Sequence, residues 1–263
     1  MFRTVSTEKN YSGESFKMNE ELQIDQHSAG KSLLLHLLPG ILIGFCYFAL
    51  IPFFHEKGYP SIMALMTAVL IMLVPFELGT LFYFGKQKNK RFSLQGIVCY
   101  RVPIPVWQYF VWIPLLFLLV GIIFTLLKPV DQFLINNLFS WLPQMETGLQ
   151  GGYSKSALIV TYGMVAVFGA IIGPTVEEFY FRGFLLPRMK FAGKWAPLLH
   201  SFLFALYHVF TPWMIITRTI GMLPLIYAAK KRNLYVSIVV HILANMIDVV
   251  IGIGFIIGLA AAA

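Results

Sequence analysis

The 263-residue chain is 58% hydrophobic and only 12% charged, about half the ~25% charge of an ordinary soluble domain. That excludes a water-soluble enzyme, a disordered tail and a disulfide-stapled secreted module. Apolar runs of about 20 residues recur, the length a helix needs to cross a bilayer. The chain therefore reads as all-α, a polytopic transmembrane helical bundle.

Residues 1–31 are polar and mixed in charge, with no apolar stretch of the kind that marks a cleavable leader. They read as an N-terminal segment ahead of a single membrane domain, 32–263. Apolar runs bounded by polar residues, Pro or Gly give seven candidate spans: 32–54, 60–85, 107–127, 156–186, 196–210, 212–229 and 234–258. Gly252, Gly254 and Gly258 can divide the last, so eight are allowed. The fifth is short enough to be a half-span, tolerated where it is buried in protein. Residues 128–150, with LINNLFSWL, read as an interfacial amphipathic helix. The closing Gly258–Ala263 run resembles a frayed helix end. Cys46 and Cys99 have no framework or metal-type spacing and are expected to be unbridged.

The net charge of +8 comes from loop placement. Of the 20 Lys and Arg, fifteen lie in 1–31, 86–106, 187–195 and 230–232. Three lie in the alternate loops (Lys57, Lys128, Lys155), and Arg182 and Arg218 lie inside spans. The positive-inside rule makes the N-terminus cytoplasmic and leaves no need for a nucleic-acid partner.

Ionisable side chains at membrane depth cost at least ~2.5–3.5 kcal/mol each, so they mark function by default. Span four carries Glu177, Glu178 and Arg182. Glu178 and Arg182, four apart, share a helix face and can pair, while Glu177 points about 100° away. Span five carries Phe204 and His208; His200, near its start, reads as interfacial. Span seven carries His241 and Asn245 on one face, with Asp248 one turn on. Counting ~1.5 Å per residue from the basic loops puts Glu177, His208, His241 and Asn245 between roughly 12 and 18 Å deep, at one level. Glu77 and Arg218 lie nearer their helix ends and read as structural or snorkelling.

A carboxylate and an imidazole sharing a water can deprotonate it, and a second imidazole with an Asn amide can stabilise an oxyanion. That is the equipment for hydrolysing an amide. No Ser or Cys nucleophile lies among these residues, and neither G-x-S-x-G nor H-E-x-x-H is present. Zinc held by Glu177, His208 and His241 remains arguable, but no two of them have i,i+4 His spacing on one helix. Metal-free general-base hydrolysis, with no cofactor, ranks above it. A non-proteolytic scaffold or immunity protein and a proton-relay transporter are the alternatives from other classes.

The order EExxxR (Glu177, Glu178, Arg182), FxxxH (Phe204, His208) and HxxxN (His241, Asn245) resembles the CAAX protease and bacteriocin-processing family, which includes the type II CAAX prenyl endopeptidases. The motif-bearing core is 156–258. The resemblance implies an intramembrane glutamate endopeptidase with a cavity open to the cytoplasmic side. It implies that Glu177 and His208 activate water and that His241 and Asn245 form the oxyanion hole. Glu178 and Arg182 would brace the site, and Phe204 would pack behind His208. Asp248 is outside the pattern and is expected to orient Asn245 or His241. The implied partner is a peptide or protein substrate, prenylated or not, met within a lipid bilayer. That bilayer would be the cell membrane in a prokaryote and the endoplasmic reticulum in a eukaryote.

Overall fold

The computed structural model describes residues 24–261; most of the 1–31 segment and the last two alanines lie outside the described residues. The described chain is helical, with no strand. Five helices are long and apolar enough to cross a membrane: α1 (Ala29–Glu56), α2 (Ser61–Asn89), α3 (Val106–Asn137), α4 (Lys155–Arg188), and the last, α8 (Leu234–Ala261). Between α4 and α8 lie three shorter helices, α5 (Ala196–Tyr207), α6 (Ile215–Gly221) and α7 (Leu223–Lys231). This is a multi-pass membrane protein.

Burial orders the layers. Half of the most apolar window of α2 is buried, against 11% for α3 and for α8, so α2 is the central span and the other two show wide faces to lipid. Phe110, Leu118, Leu126 and Ile257 lie exposed on those faces and Phe45 on α1, where lipid chains are their solvent. The core runs from α1 and α2 through α4 to α7 and α8.

Several boundaries depart from the apolar pattern. The α3 helix runs ten residues past 127, through Pro129 to Asn137, so the first part of the 128–150 segment is the end of a span. Asp131, which would otherwise terminate it, is buried and accepts a 2.6 Å hydrogen bond from the Thr217 hydroxyl of α6. The sixth candidate span is broken: a 3₁₀ turn at Pro212–Met214 precedes α6, and Met222 separates α6 from α7, whose second residue is Pro224. Pro224 lacks the N–H that would continue the helix. A Cβ on Gly221 would lie 2.3 Å from the Phe124 ring, so only Gly lets α6 approach α3 this closely. Gly252, Gly254 and Gly258 do not divide α8, which is continuous. Cys46 and Cys99 form no disulfide.

Another glycine contact sets the active region. A Cβ on Gly40 would fall 2.0 Å from the backbone oxygen of Tyr207; α1 thus packs directly on the end of α5. Gly79 lies mid-helix in α2 with open space beside it. Gly40→Ala is expected to destabilise the protein by about 1–3 kcal/mol through overpacking. Gly79→Ala should stabilise it by about 0.5–1 kcal/mol through helix propensity. Thermal unfolding in one detergent compares the two; a destabilised Gly79→Ala or a neutral Gly40→Ala contradicts the packing described.

Ahead of α1, the His27 backbone N–H donates to the Arg188 carbonyl (3.0 Å), fastening the entry segment to the end of α4. Its ring is buried edge-on against Phe184. Burial, with the nearby Lys31 and Arg188 charges, lowers its pKa to about 4 from 6.5. The unfolded chain therefore binds the proton first, and stability should fall as pH drops from about 6.5 to about 4. His27→Leu should flatten that part of a stability-versus-pH curve; an unchanged slope would contradict this origin.

Candidate active site

Glu177 closes a five-residue α-helical stretch, Gly173–Glu177, flanked within α4 by two π-helical stretches, Val165–Ile172 and Glu178–Leu185. Such π insertions shift side-chain register within a helix and recur at functional sites. Glu178 is fully buried, is reached by two hydrogen bonds and pairs with one cation. Arg182 Nη1 lies 3.2 Å from Oε1, His241 Nδ1 lies 2.9 Å from the same oxygen, and the Ser237 hydroxyl donates to Oε2 at 2.6 Å. A carboxylate paired with a guanidinium is an acceptor, so Glu178 fixes the imidazole of His241 with Nδ1–H toward it. The guanidinium of Arg182, also fully buried, lies 3.9 Å over the Phe204 ring.

Glu177 is nearly buried, and its two oxygens face two imidazoles. Oε1 lies 4.0 Å from His208 Nε2, and Oε2 lies 3.9 Å from His241 Nε2. His208 is not inside its helix as the apolar run suggests. It sits just past the end of α5, with ψ of 57°. Its Nδ1 is 2.9 Å from the Phe204 carbonyl, one of the last carbonyls that a helix end leaves without an N–H. A carbonyl only accepts, so Nδ1 carries the hydrogen and Nε2 turns a lone pair toward Glu177. Phe204 packs edge-on against the His208 ring, with centroids 4.8 Å apart.

Asn245 stands one turn beyond His241 and donates one N–H to the Gly169 carbonyl at 2.9 Å. Among the described residues it makes no hydrogen bond to Glu177, His208 or His241. Asp248 is exposed and bonds to neither Asn245 nor His241, so the orienting role expected for it does not hold. No group of three His, Cys, Asp or Glu arranged to hold a metal occurs among the described residues.

Two further expectations, for His200 and Glu77, are corrected, and of the two readings for Arg218 the structural one holds. His200 is fully buried, because α1 covers the start of α5: His36 Nε2 lies 3.0 Å from His200 Nδ1. Arg218 does not snorkel; it donates to the carbonyl and hydroxyl of Thr211 at 3.1 and 2.7 Å and so holds the loop after His208. Glu77 is no helix-end residue, since α2 continues twelve residues beyond it. It is fully buried, with Oε1 3.1 Å from the Tyr207 hydroxyl oxygen. Ser237 and Tyr207 went unnoticed in the sequence, although Ser237 stands four residues before His241 on the same face and Tyr207 adjoins His208.

Among cavities, a groove of about 480 Å³ runs between α3 and α6–α7, from Trp112 and Leu116 to Lys231 and Arg232. None of the site residues lines it.

Residues 159–247 match the family model for type II CAAX prenyl endopeptidase Rce1-like proteins. The match covers about a third of the chain and contains all seven motif positions. No curated protein and no solved structure matches the chain.

Removing the Glu178 carboxylate would leave Arg182 charged and buried without its ion-pair partner. Glu178→Ala should cost about 3–5 kcal/mol, read as a lower unfolding midpoint or loss of folded protein from detergent extracts. Wild-type stability would show that the pair carries no weight in the fold.

Proposed function

We propose that this protein is a glutamate-dependent intramembrane endopeptidase of the CAAX protease type, hydrolysing a peptide bond with Glu177- and His208-activated water. The observation that carries this reading is one carboxylate faced by imidazole nitrogens from two other elements, at 4.0 and 3.9 Å. Both gaps exceed a direct hydrogen bond, whereas a water can lie ~2.8 Å from Glu177 Oε1 and His208 Nε2 together.

The chemistry follows from where the hydrogens are. His208 Nδ1–H is committed to Phe204, so its Nε2 and the Glu177 carboxylate are both acceptors for a water proton. The water oxygen attacks the scissile carbonyl as its proton passes to Glu177. Negative charge on the tetrahedral oxygen is met by the second N–H of Asn245 and by His241 Nε2. Because Nδ1–H of His241 already donates to Glu178, donation from Nε2 requires the imidazolium, whose charge Glu178 offsets. When the tetrahedral centre collapses, the C–N bond breaks and the leaving amine takes the proton held by Glu177. Arg182 and Phe204 brace Glu178 and His208.

This scheme uses no metal. The substrate is a CAAX-like C-terminus or another membrane-associated peptide, lipidated or not. With α5 and the α6–α7 pair as short crossings, the five long spans become seven in a single membrane domain. The basic loops then put the N-terminus and the mouth of the site on the cytoplasmic side.

His208→Ala should abolish turnover in a protein that still folds. His241→Ala and Asn245→Ala should each lower kcat by about 10²–10³, the effect of losing one oxyanion donor. Near-wild-type kcat in both would refute the oxyanion assignment. Loss of folding in both would favour a structural polar network.

A further inference from the structure

A third carboxylate adjoins the site, from a span outside both the sequence motifs and the family match. Glu77, in the central span α2, is fully buried beside the Tyr207 hydroxyl. Oη lies 3.1 Å from Glu77 Oε1, the same hydroxyl interacts with the Glu177 carboxylate, and the two carboxylates are close enough to repel.

One hydroxyl has one hydrogen, so it cannot donate to both carboxylates. Two buried carboxylates in one site do not both ionise. The trio therefore holds one proton in addition to the tyrosine's own, on either Glu77 or Glu177. The charges around each decide which. Glu177 is faced by His208 and His241 and feels Arg182 and Arg218 against Glu178. Glu77 is faced by Tyr207, Tyr180 and Glu177, and the cation it feels, Arg182, is paired with Glu178. Glu77 Oε2 is buried with no hydrogen-bond partner among the described residues. A bare oxygen costs far more on an ionised carboxylate than on a neutral acid.

We propose that Glu77 is a positioning residue that holds this proton at rest, its carboxylic acid donating to Tyr207 Oη while the Tyr207 hydroxyl donates to Glu177. The chain Glu77–Tyr207–Glu177 keeps Glu177 anionic and oriented, ready to receive a proton from water. Its kinetic meaning rests on Glu177 being the water-activating base; the protonation state itself does not.

Infrared spectra of the purified full chain at neutral pH test it, read in the carboxylic-acid C=O region. The expected spectrum has an acid band that Glu77→Gln removes and Glu177→Gln retains. Tyr207→Phe should shift that band toward a non-hydrogen-bonded acid. Tyr207→Phe should also lower kcat roughly tenfold, the worth of one hydrogen bond to a charged group, with KM within about twofold. An acid band unchanged in Glu77→Gln overturns the proposal, and so does one lost in Glu177→Gln, which would put the proton on Glu177. If Glu77→Gln does not fold, the Glu177→Gln spectrum still decides. Absence of peptidase activity would count against the proposed function, while the band would still settle where the proton lies.

Discussion

The fully buried Glu178 carboxylate is the interaction on which the rest of the site depends. It takes Arg182 from its own helix and His241 and Ser237 from α8, so one side chain locks α4 to α8 and sets a ring tautomer. A charge so deep is tolerable because a buried cation pairs with it and two hydrogen bonds reach it. The arrangement also leaves Glu177, one residue earlier, with no cation or imidazole within hydrogen-bonding distance. Two adjacent glutamates thus acquire opposite characters from their surroundings: one is saturated, the other is faced by imidazoles at distances too long to bond.

The scaffold around this pair is built to bring backbone close to backbone. The close approach at Gly40 sets α1 against the end of α5, where the helix stops at Tyr207 and His208 turns back to cap Phe204. Arg218 then holds the loop that follows. The π stretches on either side of Gly173–Glu177 shift the register of α4. Position, burial and ring orientation at the site are consequences of these local irregularities more than of regular helix geometry.

Much of this was legible in the sequence. Charged residues in apolar spans are expensive enough to stand out, and helical rise was sufficient to place Glu177, His208 and His241 at one depth. The Glu178–Arg182 pair follows from spacing alone. What stayed hidden depended on tertiary cover. Glu77 looked like a helix-end residue because the apolar run fades before Lys86, yet α2 continues to Asn89 and buries it. His200 looked interfacial because nothing in its own segment reveals that His36 of α1 covers it. His208 looked helical because an apolar run does not mark a helix end that a side chain caps. Asp248 looked useful by spacing and is instead exposed.

The proposed activity requires Glu177 as the base that activates water. The most direct measurement is cleavage of quenched fluorescent peptides, prenylated and unprenylated, by the purified protein and its Glu177→Ala variant, each with and without a chelator. The expected result is cleavage that resists the chelator and vanishes in a Glu177→Ala protein that unfolds at the wild-type temperature. Cleavage retained by Glu177→Ala, or lost with chelator and restored by zinc, would contradict it.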